Sequence, residues 1–130
     1  MDKQTLQKLN TAFESFPSLK LVYLFGSQAT GKTGPLSDYD FALYIDEKDS
    51  TKMYDISFQI SHKIGMVLKS NDIDIVILNL AKSPELKYAI ATEGKLLFER
   101  EPYLLLFEPR VMTEYFDFRA MLRKHKLTRT

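Results

Sequence analysis

Hydrophobic positions along the chain change rhythm several times, and each change marks an element. Leu6, Leu9, Phe13 and Phe16 recur at helical spacing over residues 3–16, and Pro17 ends that pattern. Leu21 to Phe25 is a short, almost uninterrupted apolar run read as a strand, and Phe41 to Ile45 is the body of a second one. Asp46 to Ser50 makes a charged turn. Met53, Ile56, Ile60, Ile64 and Val67 then form one stripe of a long helix, with His62 off the stripe and expected in solvent. Ile73 to Leu80 reads as a third strand. Its near-continuous apolar character predicts a central place in the sheet, where acids would be costly unless a cation neutralised them. Ser83 caps a further helix with Pro84 at its first position, Gly94 stops it, and Lys95 to Glu99 is a short edge strand.

Beyond Glu101 the pattern spreads out. Tyr103 to Phe107 is apolar, Pro109 interrupts, and from Val111 to Leu122 apolar residues lie on more than one side of a helix. Such a helix has one side for its own domain and another for a partner. The expected architecture is therefore α/β (α+β): a small mixed sheet flanked by helices. Residues 1–100 form the core, and 101–130 a helical segment with a basic tail belonging to the same domain.

Composition narrows the class. A chain of 130 residues is expected to be one domain, burying roughly two-thirds of its unfolded surface. It has no cysteine, which excludes disulfides and thiolate metal sites and suits a reducing compartment. No signal peptide is legible, and no apolar run nears the ~20 residues of a membrane span, so a cytoplasmic protein is expected. Charge is unevenly placed. Arg119, Arg123, Lys124, Lys126 and Arg129 crowd the last twelve residues without an acid, leaving 13 basic against 17 acidic residues elsewhere. That tail suits an acidic partner or plain solubility. The spacing of Arg119 and His125 imitates a HEPN ribonuclease signature, but the chain lacks the helical bundle such a site needs.

The chemistry lies between the first two strands, in LFGSQATGKTGPLSDYDF, where two motifs overlap. Gly26, Gly31, Lys32 and Thr33 fit a P-loop. A P-loop needs a helix starting at the Gly-Lys-Thr, and here Gly34 and Pro35 follow instead. It also needs a parallel second strand, whereas Gly34 to Tyr39 is too short for a crossover. The P-loop is rejected. The other motif is Gly26-Ser27 followed by Asp38 and Asp40. Two residues apart on a strand, those acids leave one face while Tyr39 leaves the other. Adjacent carboxylates repel and raise each other's pKa unless a cation, typically Mg²⁺, lies between them. The Gly26-Ser27 turn lets backbone approach a phosphate. A third acid comes from NDIDIVILN: Asp74 inside the strand is preferred to Asp72, which can simply serve the preceding turn. Three convergent acids beside such a turn form a two-metal phosphoryl-transfer site.

GSQATGKTGPLSDYD followed by DIVILN resembles the nucleotidyltransferase superfamily that includes DNA polymerase beta. Within it the chain most resembles the minimal nucleotidyltransferases of the MntA type, antitoxins encoded beside HEPN-domain toxins. The likeness extends to SPELKYAIATEGKLLFE, similar to the family's helix–strand ending. It implies ATP and Mg²⁺ as cofactors, and transfer of AMP to tyrosines of a HEPN-type toxin, which neutralises it. Asp38, Asp40 and Asp74 would be the catalytic metal ligands, with Gly26 and Ser27 on the triphosphate. Thr30 departs from the family pattern, where Arg is common. The competing functions are the same transfer to a small molecule or RNA end, or a non-catalytic antitoxin. Relatives of the first kind carry an acceptor-binding domain for which this chain lacks length; direct nucleic-acid or membrane binding is not expected.

Overall fold

A computed structural model describes residues 1–26 and 39–125. The elements run α1 (Lys3–Glu14), β1 (Leu19–Phe25), β2 (Tyr39–Ile45), α2 (Ser50–Leu68), β3 (Ile73–Ile77), α3 (Pro84–Glu93), β4 (Lys95–Glu99) and α4 (Tyr103–Lys124). Local signals account for most boundaries. Asp2 caps α1 by accepting from Thr5 N at 2.7 Å, and Ser83 caps α3 by accepting from Leu86 N at 3.1 Å. Gly94 ends α3 where any Cβ would collide with the carbonyl of Ile90, so the chain can turn directly into β4.

The strands form one mixed sheet in the order β3-β2-β1-β4. β1 is antiparallel to both β2 and β4. β2 and β3 are parallel, joined over the sheet by α2. The α/β expectation holds. The predicted centre does not: β3 is an edge strand, spans Ile73–Ile77 rather than reaching Leu80, and leaves Asp74 exposed. Its apolar run arises because Ile73, Ile75 and Ile77 face one helical layer while Val76 faces the other. Coverage on both faces thus produced a central-strand pattern at an edge.

Alternation along the strands sorts side chains into two layers. On one face Val22, Leu24, Phe41, Leu43 and Ile45 are buried against Leu9 and Phe13 of α1 and Met53, Ile60 and Ile64 of α2. On the other, Leu21, Tyr23 and Ala42 meet Ile90 of α3 and Phe107 and Val111 of α4. Two phenols pin α4 to the sheet: Tyr23 donates to Glu108 Oε1 at 3.0 Å and Tyr103 to Asp46 Oδ2 at 2.6 Å.

α4 also departs from expectation, because it runs unbroken through Pro109. Proline removes one helical hydrogen bond and crowds the carbonyl four residues earlier, at Leu105. Both residues face solvent, where water can take that carbonyl, so the interruption is tolerated. Its outward side carries Leu105, Leu106, Phe116 and Met121, all substantially exposed. His62 is exposed, as its place off the α2 stripe implies.

Candidate active site

The site grows out of the register of three strands. Phe25 of β1 is paired with Asp40 of β2, and Asp40 with Asp74 of β3. Residues paired in register on neighbouring strands share a face, so the row across the sheet reads Asp74, Asp40, Phe25. Strand spacing puts the two acidic Cα positions about 4.8 Å apart. The row lies at the opening end of β2 and β3, on the face that α3 and α4 cover. Asp40 is half-buried and Asp74 exposed. Tyr39 points into the opposite layer, its ring stacked near Phe41 with centroids 6.5 Å apart.

Gly26 closes the row. Its backbone has φ +77°, a conformation that glycine enters at little cost, and a Cβ there would stand 2.5 Å from Asp40 Oδ2. Glycine is thus required twice, for the turn and for the carboxylate beside it. Ser27 and Asp38, the other two sequence-predicted site residues, lie outside the described residues, as do Thr30 and the Gly31, Lys32 and Thr33 of the P-loop overlay. Among the described residues no three metal-ligating side chains converge. What converges is the pair Asp40 and Asp74, an all-carboxylate donor set suited to a hard divalent cation.

Asp72 has a different place. Its carbonyl accepts from Tyr39 N at 2.9 Å and its own N–H donates to Ser70 Oγ at 3.1 Å, so its backbone starts the β2–β3 ladder. Two contributors escaped the sequence. Asn79 accepts from Ile45 N at 3.2 Å and donates to Ile45 O at 2.6 Å, locking the far end of β3 to β2. Beside Gly26 opens a pocket whose helical wall is Leu86, Ala89, Ile90 and Glu93 of α3. Their spacing marks one helical face, as any core-facing stripe does, so the sequence carries no separate signal for it.

This arrangement, a mixed sheet with paired acids beside a glycine turn, defines a nucleotidyltransferase. The chain belongs to the polymerase beta nucleotidyltransferase family, whose model matches residues 7–103. It is similar to protein adenylyltransferase MntA of Aphanizomenon flos-aquae, 40% identical over 89 residues. That match covers 64% of this chain and 59% of the relative's length. It is also similar to MntA of Shewanella oneidensis, 32% identical over 108 residues, covering 82% and 73% of the two chains. Among solved structures, a toxin–antitoxin complex with AMP-PNP matches at a TM-score of 0.70 and 26% identity, covering 95% of this chain and 94% of that one. A tri-AMPylated Shewanella oneidensis HEPN toxin in complex with MNT antitoxin matches at 0.68 and 25%, with the same coverage. The resemblance to minimal, MntA-type nucleotidyltransferases holds.

Proposed function

We propose that the protein transfers AMP from ATP to tyrosine hydroxyls of a HEPN-type toxin in the cytoplasm and thereby neutralises it. The observation carrying this reading is the in-register pair Asp40 and Asp74 beside Gly26, in a chain whose relatives are adenylyltransferases of toxin–antitoxin pairs. Two carboxylates side by side, one of them exposed, are unfavourable alone and favourable around a cation. Asp38, Asp40 and Asp74 would hold Mg²⁺, which when bound neutralises phosphate charge. Gly26 and Ser27 would steady the triphosphate through the glycine turn and the serine hydroxyl. Asp74, on the exposed edge strand, is reachable by an incoming side chain and takes the proton of the tyrosine hydroxyl. The tyrosine oxygen then bonds to the α-phosphorus in line with the bond to the leaving oxygen, and pyrophosphate departs. Positioning and charge neutralisation supply most of the acceleration in such transfers.

The test is incubation of the protein with Mg²⁺, its cognate HEPN toxin and ATP labelled at the α- or the γ-phosphate. Label from the α-position alone should appear on toxin tyrosines, and a chelator should stop it. Neutralised toxin without label would instead mean an antitoxin acting by occlusion.

A further inference from the structure

We propose that the outer edge of β3, with the groove between it and α2, seats the toxin segment carrying the acceptor tyrosine, held extended as an added strand. The inference rests on the adenylyltransferase reading above and adds how the acceptor is bound.

The direction of transfer is the first argument. With the triphosphate on Gly26, pyrophosphate departs toward β1, and in-line attack brings the tyrosine from the opposite end of the acid row. That end is Asp74 on β3, the outermost of the described strands. Whatever carries the tyrosine therefore has to lie along the β3 edge.

This edge is equipped for an extended chain. Tyr39 N donates to Asp72 O at 2.9 Å and Leu78 N to Leu43 O at 2.7 Å, so alternate residues from Asp72 to Leu78 turn their backbone groups toward β2. Ile73 and Ile75, between them, turn theirs outward, where no hydrogen bond takes them up among the described residues. An added strand supplies main-chain partners for these groups, which is how exposed sheet edges bind peptides.

Beside the edge runs an apolar groove. Besides its buried stripe, α2 carries Tyr54, Phe58 and Met66 outward, and Phe58 is 74% exposed. Among the described residues, Phe58, Met66 and Ile73 border one hollow of about 310 Å³, and Tyr54, Ile75 and Ile77 border a second of about 300 Å³. On an added strand, the residue opposite Asp74 shares the face of the acids, and its two neighbours share the face of Ile73 and Ile75. The tyrosine thus stands over the acids while its neighbours lie above the two hollows, where apolar side chains are favoured. α4 packs against the other face of the sheet, so this seat is separate from the outer side of that helix.

Transfer of α-labelled AMP to the cognate toxin, with toxin concentration varied at saturating ATP and Mg²⁺, tests the groove. Tyr54→Ser combined with Phe58→Ser removes exposed side chains only, and should raise the KM for toxin by about 10-fold, with ATP affinity by calorimetry and melting temperature unchanged. A parental KM in this variant overturns the proposal, as does an equal loss of ATP affinity. Competition by a short synthetic peptide centred on the labelled tyrosine tests the added strand. Alternate N–H groups of that strand point at β3, so N-methylation either of the tyrosine or of its two neighbours should abolish competition while the other pattern spares it. A peptide that does not compete, or one indifferent to the position of the methyl groups, overturns the added strand. A parent protein that labels no toxin tyrosine removes the adenylyltransferase reading and the seat together. Labelling that survives with either overturning result leaves that reading standing without the seat.

Discussion

Toward α1 and α2 the sheet presents Val22, Leu24, Phe41, Leu43 and Ile45, all buried and matched by aliphatic and aromatic side chains from both helices. Toward α3 and α4 it presents Leu21, Tyr23 and Ala42 over its middle, then Phe25, Asp40 and Asp74 at one end. The same strands supply both faces, residue by residue in alternation. One face is therefore core along its whole length, and the other is core over its middle and chemistry at one end. At that end a substitution can damage either almost alone, depending on which way its side chain leaves the strand.

The largest effect should come from the acids. Asp40→Asn or Asp74→Asn is expected to lower AMP transfer on the order of 10³-fold, with the melting temperature unchanged or raised because like-charge repulsion is relieved. Transfer assays paired with thermal melts check this, and undiminished transfer would end the assignment. One position along β2, Phe41→Ala should do the converse. It should cost about 3–5 kcal/mol of stability in denaturant titration, with transfer per folded molecule preserved. A variant that lost transfer in proportion to a lost site would erase the distinction between the faces.

Gly26→Ala should do both at once. The positive φ and the contact with Asp40 both oppose a Cβ, so about 1–3 kcal/mol of stability and most transfer should go together. Lys32→Ala should weaken transfer only modestly; its complete loss, alongside ATP hydrolysis by the parent, would revive the P-loop.

The outer side of α4 sharpens the comparison differently. Tyr115 stacks on Tyr88 of α3 with ring centroids 3.8 Å apart, and Lys87 pairs with Glu114 at 2.8 Å. Tyr115 thus serves the α3–α4 contact, whereas Phe116 is 58% exposed. If this side docks the toxin, Phe116→Ser should weaken the complex by about 10-fold in pull-down or calorimetry and leave ATP binding intact. Loss of ATP binding as well would place Phe116 in the fold rather than at an interface.

The smallest effect belongs to Tyr23. Burial, and then the bond to Glu108, raises its pKa, so the neutral phenol is the form that the fold favours. Its stabilisation is complete below the unfolded value near 10 and is lost as pH rises through the higher folded value. Tyr23→Phe should cost about 1 kcal/mol at neutral pH and flatten the decline above about pH 10, read from unfolding curves across pH.

Much of this was legible beforehand. Capping residues and the helical stripe of α2 are local signals, and local signals define elements; Gly34 and Pro35 after the Gly-Lys-Thr argued against the crossover helix that a parallel first pair needs. Asp40, Asp74 and Gly26 were readable because a carboxylate in an apolar strand, or a glycine at a strand end, is out of keeping with its neighbours. Strand order was not legible. An edge strand packed on both faces carries the same residues as a central one, so β3 was misplaced. Nor could the α3 wall of the pocket be read. Leu86, Ala89 and Ile90 have the spacing of ordinary core contacts, and only the docking of α3 beside Gly26 gives them a cavity to line.

Asn79 carries a consequence out of proportion to its size. Because side chains alternate, a slip of one residue between β2 and β3 would turn Asp74 into the layer packed on α2 and swing Ile73 and Ile75 to the face of the acids. An edge strand is held by a ladder on one side only, and is the one most exposed to such a slip. By clasping both backbone groups of Ile45, Asn79 indexes the strand from its far end, as a peg sets the position of a sliding rule. The alignment of the two acids is in this sense determined five residues away from Asp74, by a neutral amide that takes no part in the chemistry.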